Sequence, residues 1–331
     1  MKSRKLLTIL MVLTLTLLAF TSCAPKPAAG GEITLYTSVP EGIINEIKAA
    51  FEEKNPDITL NIFREKTGKV KAKVEAELEA GEIQADLLWV AEPSTYEAYK
   101  DEDLFLKFTP GEAANLSDEF KDPDGYYYAG RVINMVLAYN SEATAPSDWK
   151  DLLNEEYKDQ VGFATTSAGS ALATVGMLTE NPDFGWEFFD DLKANGAMQV
   201  KNNGTVRDQL STGELKAGWV LDYMVRAAKA KGSPIDYVWP SSGAAIIPSQ
   251  IAIFKDAKNP DAAKIFVDYI LSADGQKTLV EKGNFVPIRA DVDSPEGVPN
   301  LDEIAKLGVD WKTVKDKAEE LNTKFLAIFG E

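Results

Sequence analysis

VGFATTSAGSALATVGML, residues 161–178, decides how this chain folds. Val161-Gly162-Phe163-Ala164 is a short apolar run and reads as the end of a buried strand. Thr165, Thr166, Ser167, Ala168, Gly169 and Ser170 follow, all small, and four of the six carry a hydroxyl. Ala171 to Leu178 then reads as a buried helix. A strand, a small hydroxyl-rich turn and a helix start leave backbone N–H groups unpaired. They also add the positive end of the helix dipole and remove the bulk that keeps a ligand oxygen away. Two readings follow: an ordinary Ser- or Thr-capped helix, or the seat of an anion.

Outward from this stretch, strands and helices alternate. Residues 32–38 form a strand, 43–53 a helix with Ile43, Ile44, Ile47, Ala50 and Phe51 on one face, and 58–63 a strand. The Lys- and Glu-rich run 69–79 is a solvated helix, and 86–91 is the next buried strand. This β-α-β-α-β order implies a mainly parallel sheet covered on both faces, with ligands at the C-terminal ends of its strands. Those ends hold Thr37-Ser38, Ala91-Glu92 and Thr165 to Ser170. Residues 126–128 and 132–139 read as two extended segments, and Pro146-Ser147-Asp148-Trp149 opens a helix. Beyond residue 178 the expectation is a helix over 184–192, a strand over 197–200 and a small polar turn, 202–206, opening another helix. A strand over 216–221 runs into Asp222-Tyr223-Met224, a strand covers 244–254, and a helix over 262–271 is capped by Asn259-Pro260-Asp261.

The start of the chain addresses the protein outside the cytoplasm. Lys2, Arg4 and Lys5 precede an apolar run from Leu6 to Phe20, and Thr21-Ser22-Cys23 follows. That is a secretory signal, too short for an ordinary membrane span. Cys23 is the only cysteine, so it has no disulfide partner within the chain. Its position resembles the bacterial lipobox, which implies a lipidated first residue, Cys23, on a flexible tether to Gly31. The whole chain has 52 Asp+Glu against 35 Lys+Arg; without Lys2, Arg4 and Lys5 the balance is 32 against 52, a net of −20. Nucleic acid is excluded as a partner by that charge, and any anion site is expected to rest on N–H groups and hydroxyls. Histidine is absent, which removes Ser-His-Asp triads and every His-containing metal site. No catalytic constellation, metal site or cofactor is expected. About 300 mature residues exceed what one hydrophobic core serves, so two lobes are expected.

ITLYTS (33–38), ADLLWVAEP (85–93), VINMVLAYN (132–140), GFATTSAGS (162–170), NGTVRDQLSTGELKAGWVLDY (203–223), AIFKDAKNPDAAKIFVDYILSADGQ (252–276) and GNFVPIRADV (283–292) together resemble the solute-binding proteins of bacterial ABC importers. The similarity is to the group of ferric-iron, 2-aminoethylphosphonate, hexose-phosphate and thiamine binders. It implies the α/β, two-lobed type 2 periplasmic-binding-protein fold, closing on ligand by a hinge of crossover strands near 133–141 and 240–252. It divides the chain into a signal peptide (1–22), a lipidated tether (23–31), an N-terminal lobe (32–135 with 245–295), a C-terminal lobe (136–244) and C-terminal helices on one of the lobes (296–331). The implied protein is an exported monomer, lipid-anchored to the cell envelope, handing a small anionic solute to a permease and an ATPase. It is not an enzyme.

Within that family the ferric binders use a His and a Glu from one lobe and two adjacent tyrosines from the other. Tyr223 matches the first tyrosine, but Met224 stands beside it, and the histidine position falls near Pro40. Ser167, Ala168 and Gly169 match the phosphate-binding turn, and Asn203 the phosphate-binding Asn. The resemblance therefore implies a phosphate- or phosphonate-bearing solute on Ser38, Thr166, Ser167, Gly169, Ser170, Asn203 and Thr205, with Glu92, Asp222 and Tyr223 toward its organic part. Two alternatives remain open: a ferric-iron transport protein with a non-standard site, and a ligand-sensing lipoprotein that partners a membrane receptor.

Overall fold

The computed structural model describes residues 30–330; the signal, Cys23 and nearly all of the tether lie outside them. Three strands and three helices come first: β1 (Gly31–Thr37), α1 (Glu41–Lys54), β2 (Ile58–Arg64), α2 (Thr67–Glu79), β3 (Leu87–Val90) and α3 (Pro93–Asp101). The long strand β4 (Tyr127–Asn140) leads to β5 (Val161–Ala164), α4 (Gly169–Glu180), α5 (Gly185–Ala194) and β6 (Met198–Val200). Then come α6 (Asn203–Thr212), β7 (Ala217–Leu221), α7 (Asp222–Lys229), β8 (Ile235–Val238) and β9 (Ala245–Ile253). Helices α8 (Pro260–Leu271), α9 (Ala273–Gly283), α10 (Trp311–Asp316) and α11 (Ala318–Phe329) finish the chain.

Nine strands join in one sheet, ordered β2-β1-β3-β9-β4-β7-β5-β6, with β8 added on β4. β1 is parallel to β2 and β3, and β5 is parallel to β6 and β7, so each end of the sheet is a parallel α/β unit. β4 and β9 run antiparallel to each other and tie the two units together. The first half of β4 pairs with β9 and its second half with β7 and β8; β9 in turn reaches β3. Their long apolar runs are buried on both faces, as a strand covered by helices must be. Local signals set the helix ends. Asn202 Oδ1 accepts from Thr205 N at the start of α6, and Gly213 closes that helix at φ +76°, a conformation that side chains disfavour.

Three sequence expectations need correction. The two extended segments 126–128 and 132–139 are one strand, interrupted only by a register shift between Ala129 and Arg131. Gly130 lies there under the Trp89 indole, where a Cβ would meet Nε1 at 2.8 Å. Asp148 opens a short 3-10 turn, Trp149–Leu153, rather than an α-helix. Residues 296–310 contribute no helix, and the two that follow do not sit on one unit. Lys315 on α10 pairs with Asp101 on α3 at 2.7 Å, while Val314 packs on Gly176 of α4. Phe325 of α11 meets Phe163 and Phe189. The C-terminal segment thus touches both α/β units.

Candidate functional site

Between the two units lies a cleft of about 380 Å³. The first unit contributes Ser38 after β1, Arg64 at the end of β2 and Lys66 beyond it, and Ala91 after β3. The second contributes Ala168, Gly169 and Ser170 at the start of α4, Asn202 to Gly204 at the start of α6, and Leu221, Tyr223 and Met224 around the start of α7. Arg131 and Ile133 of the crossover strand β4 also line it. Three helix N-termini therefore converge where parallel strands end, which concentrates free N–H groups and positive potential. Gly169 is required there: a Cβ on it would stand 2.6 Å from the Ala91 carbonyl oxygen across the cleft.

Five of the ten ligand residues expected from the sequence line this cleft: Ser38, Gly169, Ser170, Asn203 and Tyr223. Ser38 Oγ accepts a hydrogen bond from Ala91 N at 3.3 Å. Asn203 Nδ2 donates to Ser170 Oγ at 3.1 Å, while its Oδ1, also buried, has no partner. Because Ser170 can donate as well as accept, the amide can reverse and present its NH2 group to a ligand.

The other five sit elsewhere. Ser167 is exposed beside the cleft. Thr166 is turned toward α11, its Oγ1 donating to Asn322 Oδ1 at 2.6 Å. Thr205 serves the cap of α6. The Glu92 carboxylate accepts from Lys71 at 2.6 Å and Thr95 at 3.0 Å. Asp222 is 1 % exposed and holds Arg226 at 2.7 Å and Asn134 Nδ2 at 3.1 Å.

Sequence reasoning missed the cations. The expectation named neutral donors alone; the cleft is also lined by Arg64, Lys66 and Arg131. Arg131 is 3 % exposed, and its Nε and Nη1 make no hydrogen bond. Its guanidinium lies 4.5 Å from the Phe285 ring centre and 6.0 Å from that of Trp89, a cation–π setting. Burial pulls it down to about 10; Tyr223 opposes this and Arg64 adds to it, so the two guanidiniums feel each other. It remains charged at neutral pH. Arg64 Nε donates to the Val39 carbonyl at 3.1 Å, leaving the rest of its fork free. Burial pushes the Tyr223 phenol up, against the pull of Arg131. A smaller cavity, about 210 Å³, borders Arg289, but Glu112 and Asp291 already neutralise that guanidinium.

Two α/β units, two crossover strands and a ligand-sized cleft at the strand ends define a two-lobed binding protein. Comparison with known proteins agrees: the chain belongs to the bacterial extracellular solute-binding protein family, which it matches over residues 46–306. It is similar to a Sinorhizobium fredii protein named as an ABC transporter periplasmic-binding protein (26% identical over 326 residues, 91% of this chain and 87% of that one). A Salmonella typhimurium protein named for 2-aminoethylphosphonate binding is 26% identical over 223 residues, 63% of this chain and 64% of that one. The fold is shared with the periplasmic binding protein AfuA of Actinobacillus pleuropneumoniae, solved with fructose-6-phosphate (TM-score 0.81, 22% identity, 90% of this chain and 98% of that one). Iron-bound HitA of Pseudomonas aeruginosa shares it too (TM-score 0.78, 21% identity, 89% and 99%). The chain is the solute-binding component of an ABC importer, with a type 2 periplasmic-binding-protein fold and a place outside the cytoplasm.

Proposed function

We propose that this cleft captures a phosphate- or phosphonate-bearing small solute and that a monomer, held to the membrane through lipidated Cys23, delivers it to the permease. One observation carries the reading. A buried guanidinium with two unpartnered nitrogens, Arg131, faces the cleft beside Arg64 and Lys66. An uncompensated buried charge is strongly disfavoured, so it persists where an incoming anion compensates it. The convergent helix N-termini and the Ser170–Asn203 pair supply the neutral donors that a tetrahedral oxyanion needs on its other sides. The lobes close over the solute by bending at β4 and β9, and the solute is carried rather than transformed. A named 2-aminoethylphosphonate binder and a fructose-6-phosphate complex among similar proteins support the same solute class. Iron is the competing cargo, and Tyr223 is its one matching ligand in the cleft. A phenol pushed up by burial gives up its proton reluctantly.

Mass spectrometry of the protein purified from its native membrane tests both parts. Under native conditions the expected adduct contains phosphorus and no iron; after denaturation the chain begins at Cys23 and carries acyl mass. A stoichiometric iron adduct would contradict the solute class, and an unacylated mature chain would contradict the anchor.

A further inference from the structure

The cleft concentrates cations that no ion pair among the described residues neutralises. Of the five arginines described, Arg207 is paired with Asp208, Arg226 with Asp222, and Arg289 with Glu112 and Asp291. Among the described residues, the two arginines without a carboxylate are Arg64 and Arg131, and both line the cleft. Lys66, likewise without an ion pair, stands beside them. Exposed lysines such as Lys107 and Lys150 also lack an ion pair, so the contrast rests on the arginines: the three away from the cleft are paired and the two that line it are not.

Two of the neighbouring carboxylates are withdrawn from the ligand. Glu92 is spent on Lys71 and Thr95, and Asp222 on Arg226 and Asn134. Neither lines the cleft, and among the described residues no Asp or Glu does. One phosphonate against three cations leaves net positive charge and leaves Arg64 repelling Arg131. An ammonium group on the ligand would add to that repulsion and find no carboxylate to meet it.

We infer that the solute carries at least two separate anionic groups and no ammonium group. Its phosphate or phosphonate head rests on Gly169, Ser170 and Asn203 against Arg131, and a second anionic group meets Arg64 and Lys66. This rests on the anion reading above and narrows it, and it sets this chain apart from a binder of aminated phosphonates.

Isothermal titration of the dialysed full chain with ethylphosphonate, 2-aminoethylphosphonate and 3-phosphonopropionate tests it. The three share a head group and differ in carrying no second charge, an ammonium or a carboxylate. The carboxylate compound should bind tightest, by about tenfold or more over ethylphosphonate, as expected for one added charge-assisted contact. The ammonium compound should bind weakest. Arg64→Gln with Lys66→Gln should erase the carboxylate's advantage, weakening 3-phosphonopropionate by about tenfold more than it weakens ethylphosphonate. Tightest binding of 2-aminoethylphosphonate overturns this inference and leaves the anion reading standing. Failure of all three to bind defeats the anion reading itself, and this inference with it.

Discussion

Arg131, buried, and Arg226, its side chain 11 % exposed, keep very different company. Arg226 is held by Asp222 at 2.7 Å and also donates to the Asn284 carbonyl, which ties α7 to the loop after α9. Burial pulls the Arg226 guanidinium down, but Asp222 outweighs it and the net shift is upward. Arg131 is buried at least as deeply, has no carboxylate, and is shifted the other way. A compensated guanidinium is architecture: it fixes one helix against another. An uncompensated one is a site waiting for its counter-charge. Burial alone distinguishes neither; the partner list does.

The largest expected effect breaks the compensated side. Asp222→Ala leaves Arg226, its side chain 11 % exposed, without its carboxylate, and should lower unfolding stability by about 3 kcal/mol in a denaturant titration. Solute affinity should stay within a few-fold, because Asp222 does not line the cleft. A large affinity loss with stability intact would return Asp222 to the ligand. A smaller contrast separates two residues that the sequence placed together on the anion. Asn203→Ala should weaken binding of 3-phosphonopropionate about tenfold, the worth of one hydrogen bond to a charged group. Ser167→Ala should change it by about twofold or less, since Ser167 is exposed beside the cleft. Equal losses in both would mean that the turn before α4 moves in when the solute binds.

Much of this was legible in the sequence. Alternating apolar runs and helical faces gave the parallel units, and the small residues at 169–170 and 203–204 marked the helix starts that line the cleft. The Asp222–Arg226 pair, four residues apart at the start of a helix, was also readable as an ion pair. Arg131 was hidden because the apolar run was read from Val132 onward. A lone arginine beside a glycine at the start of a doubly buried strand was the available signal. Arg64 fell one residue past the expected end of its strand. Lys71, which holds Glu92, is 21 residues away, and Asn322, which holds Thr166, is 156 away; no local spacing reveals such contacts.

The central claim is that Arg131 is kept at the expense of the empty protein for the sake of the bound one. Its folded-state position near 10 lies below the unfolded value, so the unfolded chain binds more protons between those limits. The resulting penalty, roughly 3 kcal/mol, is present at neutral pH and lifts only as pH rises through 10 toward the ordinary arginine range. Arg131→Met removes the charge and keeps the apolar stem. Thermal unfolding at pH 7, with and without saturating 3-phosphonopropionate, reads both halves of the claim. The empty Arg131→Met protein should melt several degrees above the empty wild type, and the ligand should raise its melting temperature hardly at all. An Arg131→Met protein that melts lower when empty yet is stabilised by ligand as much as the wild type would contradict the account.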